Sequence, residues 1–369
     1  MKRTAINARQ LGFFLAFLLP VGKLSELPSL LSGKVGGDLL LPAFLGLTVE
    51  FLSLFALFSF TKKTGMGPLA YAEKKNAKLG RVLRVALAAV LLVYSLPFLL
   101  DLEKFCNVTF SDTEPTFFSF APFFILCGFI CTKGIKAVGR SADLCPVLFF
   151  LPFAMLTVLA FSSADLSSLL PVFEKPLFTN VATFFQTAPF FSSGLLFLPL
   201  FDGYHYHEGD EKKIFPLYFT GAAAVLLFLA LFYGLYGPLA VSEHYAITKI
   251  GMFFPALSTL GRTDLFFVYL ITVVLFFFTA LPVQLAVGEL QKGFQLQNSL
   301  LLSTLINLAL FFAVLFLNRR YNTVYPFFIK TLAPLYLVVG FLLPLLVYLG
   351  ILLKRRGQVR VERRNKHAR

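Results

Sequence analysis

Lys23 is the residue of this sequence with the most chemistry to explain. It lies inside residues 11–31, LGFFLAFLLPVGKLSELPSLL, an apolar run interrupted by Pro20, Gly22, Lys23, Ser25, Glu26 and Pro28. At about 1.5 Å of rise per residue it falls roughly 18 Å along a helix entering the membrane, near the middle of a ~30 Å hydrocarbon core. A charge and a helix break at that depth are tolerated only where the backbone is buried in protein or lines a cavity. An ammonium buried there without compensation is strongly destabilised or loses its proton. Two carboxylates could neutralise it: Glu26, one helical turn on, and Glu50, midway along the next apolar segment at comparable depth. Three roles stand open. Lys23 could lock the break through an ion pair, bind a ligand carboxylate or couple to protons, or reach a wet vestibule with no role.

A second apolar run is interrupted in the same way. Residues 183–201, TFFQTAPFFSSGLLFLPLF, carry Pro189, then Ser192, Ser193 and Gly194, then Pro199. A break frees helix N-termini, whose N–H groups and positive dipole end suit an anion. Freed carbonyls suit an ammonium, so an amino acid zwitterion matches both ends of one cavity. The expected ligand-binding residues are therefore Gly22, Lys23, Ser25, Ser192, Ser193 and Gly194, with Lys23 and Glu50 as an intramembrane charge pair. Ser and Gly also serve close helix packing, the competing use of these positions.

Other polar groups carry less. Arg262 and Asp264 flank the start of an apolar segment and read as an ion pair near a gate, with capping of that helix by Thr263 or Asp264 as the alternative. His205, His207 and Glu208 fall in a polar stretch beside Asp210, Glu211, Lys212 and Lys213, and alternate residues of a helix face different ways. That stretch reads as a solvated loop rather than a metal- or pH-responsive one. No nucleophile–base pair, phosphate-binding glycine loop or zinc signature is present, so no catalytic residue, metal or cofactor is expected. A multi-spanning membrane enzyme is the weakest reading.

These residues must be held by membrane helices. The chain has 369 residues, 57% hydrophobic and 14% charged, whereas a soluble domain carries about 25% charge. Its apolar segments predict an all-α integral membrane protein with ten transmembrane helices at about 11–31, 39–60, 82–100, 116–132, 144–162, 183–201, 214–236, 264–288, 299–317 and 327–353. The N-terminal run continues past Lys23, so it reads as a span rather than a leader. Of 33 Lys and Arg, 24 fall in the segments on one side and 8 on the other, which places both termini in the cytoplasm. The excess of positive charge follows topology and does not point to nucleic acid. The four cysteines form no disulfide framework. The tail 354–369 is a basic cytoplasmic run suited to anionic membrane lipid.

Ten spans divide into repeats of about 11–162 and 183–353 within a membrane domain of 1–353. Five is odd, so the second set runs oppositely through the bilayer. The broken spans are the first of each set, the first and the sixth. This pattern predicts a five-plus-five inverted repeat with a site at the midplane.

ARQLGFFLAFLLPVG at the start, TEPTFFSFAPFFILCGFICTKGIKAVGR before the fifth span and TLGRTDLFFVYLITVVLFFFTALPVQLAVGELQKGF around the eighth resemble the spore germination permeases. These are the B subunits of spore germinant receptors, within the amino acid–polyamine–organocation superfamily. The resemblance covers essentially the whole chain, and its most telling parts are 134–140 and 261–264. Lys23 within the first break and the absence of Trp depart from the family's pattern. The resemblance implies the five-plus-five fold, a complex with an A subunit and a lipoprotein C subunit, and recognition of a small germinant such as an amino acid. It implies a multi-pass protein of the bacterial spore inner membrane. An ordinary amino acid permease is the alternative.

Overall fold

The computed structural model describes residues 6–110, 116–252 and 264–350. Every named element is helical, and the sole backbone bridge among the described residues joins Ile6 to Tyr204. Seven of these helices are long and apolar enough to cross a membrane, or eight if one bent pair counts as a single span. The protein is thus a multi-pass helical membrane protein.

The ten expected spans do not all appear as single helices of spanning length, and the reason is local. The first run divides into α1 (Ala8–Val21) and α2 (Leu27–Val35). Lys23 N–H and Leu24 N–H reach back only three residues, to the carbonyls of Pro20 (2.8 Å) and Val21 (3.1 Å), which tightens and ends α1. Pro28 then opens α2, in the first turn where its missing N–H does no harm. After a short 3₁₀ turn the chain continues as α3 (Leu40–Thr64). Gly65 closes α3 at φ 70, the left-handed conformation a glycine adopts freely.

The remaining helices are α4 (Pro68–Lys75), α5 (Ala77–Phe110), α6 (Thr116–Cys131) and α7 (Ile135–Ser163). The second broken run is α8 (Leu177–Gln186) followed by α9 (Ala188–Gly203), bent by 75°. Then come α10 (Glu211–Tyr236), α11 (Ala246–Met252), α12 (Asp264–Phe294), α13 (Ser299–Asn318), α14 (Tyr321–Pro326) and α15 (Ala333–Gly350). In the apolar window of α12 78% of residues are buried, against 28% in α13. α12 is therefore a central post, packed along α5, and α13 shows most of its surface to lipid.

Between apolar helices in lipid, close approach rather than the hydrophobic effect holds the bundle. Gly194 packs so tightly on the Gly340 carbonyl of α15 that any Cβ would collide with that backbone oxygen. Gly22 lies against the Phe278 ring of α12 and Gly46 against the Phe191 ring. A π-helical turn flanks each break: Phe14–Leu18 leads into the first, and Val338–Leu342, which contains Gly340, packs on the second. Such turns carry extra backbone that re-aims neighbouring side chains, and they recur at functional sites.

Candidate ligand site between the two broken helices

Glu50, in the middle of α3, is the point where the two breaks meet. Lys23 Nζ from the first break lies 3.1 Å from Glu50 Oε1. Ser193 Oγ from the second break donates to the same oxygen. Tyr218 of α10 donates to Glu50 Oε2 at 3.3 Å and to the Leu47 carbonyl at 2.6 Å. All four side chains are buried. The Lys23 ammonium also stands 5.8 Å from the centre of the Phe191 ring. Tyr94 of α5 ties the second break down from outside, donating to the Pro189 carbonyl at 2.9 Å. The hub is balanced, one cation against one anion, and both carboxylate oxygens receive donors.

The other expected binding residues separate. Ser192 spends its hydroxyl on the Ala188 carbonyl of its own turn at 2.8 Å. Gly22 and Gly194 supply the close contacts described above. Ser25 turns away from Lys23 and joins a second polar cluster. Its hydroxyl reaches Asp101 Oδ2 of α5 at 3.4 Å, and its carbonyl accepts the Ala246 N–H at 3.2 Å. Glu26 pairs with His244 Nδ1 at 3.1 Å rather than with Lys23. That contact holds the His244 imidazole above its ordinary pKa. Arg262 lies outside the described residues, as does the side chain of Asp264, so the expected gate pair is not described.

A third cluster lies at the end of the bundle that carries Lys62 and Lys292. Arg84 of α5, buried, contacts Glu73 (3.0 Å), Asp202 (2.8 Å) and Glu289, while Lys292 backs Glu289. Asp202 also accepts the Ala70 N–H at 3.1 Å. A cavity of about 730 Å³ adjoins this network, lined by Gly67, Lys74, Arg84, Asp202, His205 and Lys292 among others. Sequence reasoning missed Arg84, Asp101, Asp202, Tyr218 and Glu289. The available signal was an acid or base inside an apolar run, present for Asp101, Asp202 and Glu289. The polar stretch 204–208 folds around Asp210, whose carboxylate accepts from the Tyr204 hydroxyl (2.6 Å) and the His207 N–H (2.9 Å). Among the described residues no three His, Cys, Asp or Glu gather as a metal site requires, and the four cysteines are buried thiols.

The family described as spore germination protein matches residues 43–324, well over half the chain. The chain belongs to that family. No curated protein matches it. The family is one of membrane proteins of spore germination and is not a known class of enzymes, which suggests a role in germination or transport. The match begins after the first break and includes Glu50, Ser193 and Tyr218, so three of the four hub side chains lie inside it.

Proposed function

We propose that this spore germination protein is the nutrient-sensing membrane subunit of a germinant receptor, binding a small zwitterion such as an amino acid between the two breaks. The observation that carries the reading is the shared carboxylate: Glu50 accepts from Lys23 of one break and Ser193 of the other. A ligand carboxylate competes with Glu50 for Lys23 and Ser193, and a ligand ammonium competes for Glu50. Binding would therefore exchange partners at a point joining both breaks, and so bias one of two arrangements of the bundle. The chain would be a membrane domain of 1–353 with repeats of about 11–162 and 183–353 in the five-plus-five inverted fold. Both termini would lie in the cytoplasm and the tail 354–369 on anionic lipid of the spore inner membrane. Occupancy would be read by A and C subunits.

A permease is the second reading. It is favoured by polar closures on both sides of the hub, at Asp101–Ser25 and at Arg84–Asp202–Glu289, because alternating access needs a closure at each end. Thermal unfolding of the purified chain across the amino acids tests the common ground: a binder raises the midpoint by an amount that grows with the logarithm of its concentration above Kd. In a spore-former, Ser193→Phe separates the readings. A sensor loses or retunes its nutrient response while the complex still assembles. Normal germination with reduced amino acid uptake by growing cells makes the chain a permease.

A further inference from the structure

A groove between α6 and α13 opens toward lipid, away from both broken helices. The two helices meet where Ser303 Oγ donates to the Gly128 carbonyl at 2.7 Å and where the Phe124 and Phe311 rings lie 5.4 Å apart. Beside those contacts they part and leave a cavity of about 540 Å³, a volume in the range of small-molecule sites. Ile125 and Phe129 of α6 and Leu300 and Leu308 of α13 line it, each more than half exposed. The lining runs along α6 from Ala121 to Thr132, about 16 Å of helix, close to the depth of one leaflet.

The buried polar part of this lining can only accept. Asn307, 4% exposed, faces Gly128 and donates its amide Nδ2 to the Ser303 carbonyl at 2.9 Å. Its Oδ1 is buried with no hydrogen-bond partner among the described residues. Turning the amide over would set that oxygen against the Ser303 carbonyl, two acceptors face to face, so its orientation is fixed by the chain. Thr132 and Thr304 have spent their hydroxyl protons on the carbonyls of Phe129 (2.7 Å) and Leu300 (2.9 Å). Lys133, at the mouth, holds its ammonium 4.3 Å over the Phe129 ring. An oxygen left without a donor at membrane depth is strongly destabilising, because no water reaches it.

We propose that this groove binds an apolar molecule carrying one hydroxyl, of the class of medium-chain primary alcohols, whose O–H donates to Asn307 Oδ1 while its chain lies between α6 and α13. A bare hydrocarbon fills the same volume and leaves Asn307 unsatisfied. The acyl chains and esters of a phospholipid hold no donor for it either, although a lipid phosphate suits Lys133. The hydroxyl is therefore what separates an occupant from the surrounding lipid. The site stands apart from the Glu50 hub and does not depend on what binds there.

Photolabelling of the full chain in lipid nanodiscs tests this, with a diazirine-bearing medium-chain alcohol, the matching diazirine-bearing alkane, and mass spectrometry of the labelled peptides. Labelling within 121–133 and 300–311 by the alcohol should saturate and be displaced by octanol but not by octane. It should exceed labelling by the alkane about tenfold, the worth of one buried hydrogen bond. Asn307→Leu removes the unpaired oxygen at similar volume and should bring alcohol labelling down to that of the alkane. Thr304→Phe fills the groove from an exposed position and should block both probes, and it decides the matter if the first variant is not monodisperse. Equal labelling by alcohol and alkane in the wild type means partition onto a lipid-facing surface and overturns the proposal. So does displacement by anionic phospholipid but not by octanol, which makes the groove a lipid site. Alcohol labelling unchanged in either monodisperse variant overturns it as well.

Discussion

Two polar clusters flank one helix break, and they are built on opposite principles. On one side Lys23, Glu50, Ser193 and Tyr218 form a closed account of charge and hydrogen bonds, all buried. Two residues further along the same break, Ser25, Glu26 and Asp101 are buried, and Glu26 is paired with the exposed His244. A neutral, satisfied hub resists change from solution and yields only to a group that replaces its partners. The Glu26–His244 pair at the rim answers to protons. The break therefore separates a part that a ligand must pry open from a part that solution conditions can tune.

The largest effect should come from unbalancing the hub. Lys23→Met leaves the Glu50 carboxylate buried beside an apolar chain, and breaking one partner of a buried pair costs about 3–5 kcal/mol. Combining it with Glu50→Gln removes both charges and should restore most of the loss. A double-mutant cycle on unfolding midpoints reads the coupling directly. Additive effects would show that Lys23 and Glu50 do not depend on each other, and the contrast between the clusters would fall.

The next effect is steric. Gly194→Ala sets a methyl against the Gly340 carbonyl, which is backbone and cannot rotate away. Overpacking of this kind costs typically about 1–3 kcal/mol. Because Gly194 follows Ser193, the substitution should also displace the serine hydroxyl from Glu50 and weaken any ligand-dependent stabilisation. Gly33→Ala is the control, since a Cβ there meets only Val241 at 3.4 Å, an ordinary contact. Equal behaviour of the two variants would mean that the α9–α15 contact does not hold the second break.

A single hydrogen bond comes third. Tyr218→Phe removes the one hydroxyl proton shared between the Leu47 carbonyl and Glu50 without changing shape. The expected loss is about 1–2 kcal/mol, because the acceptors it leaves are buried. A stability unchanged by this substitution would show that Lys23 and Ser193 alone satisfy Glu50.

Much of the inner hub was readable before the fold. A lysine at mid-depth needs an acid, and only Glu26 and Glu50 stood within reach along the chain. What the periodicity could not provide was the choice between them. That choice depends on where α11 and its preceding loop return, since His244 claims Glu26. Ser193 was readable as a freed polar group, whereas its bond to Glu50 required the packing of α9 on α3. Asp101 lies in a helix of 34 residues whose apolar face hid its partners. Arg84 is one basic residue among many near a membrane edge in the sequence, and its three carboxylates come from α4, α9 and α12. The first span was readable only as interrupted. Pro20 and Gly22 marked the break, whereas the lengths of the two helices on either side of it, Ala8–Val21 and Leu27–Val35, came only with the structure.

The smallest effect is the pH response of the rim. The Glu26 carboxylate raises the pKa of His244 above its ordinary value of 6.5 in the folded protein. Lys104 opposes that shift, and Glu243 adds to it. A group with a raised folded pKa contributes its full stabilisation below the unfolded value and loses it as pH rises through the folded one. The contribution of His244 should therefore be complete below about pH 6 and fade above about pH 7. Its side chain is 62% exposed, so solvent screening limits the pair to less than about 1 kcal/mol. Unfolding midpoints of the wild type and of His244→Gln, compared from about pH 5.5 to pH 8.5, isolate this term from the buried acids beside it. The midpoint difference should be largest at the acid end and close at the alkaline end. A difference constant across that range, or one that grows with pH, would mean that the Glu26–His244 contact does not depend on the imidazolium charge, and the rim would then be as indifferent to solution as the hub.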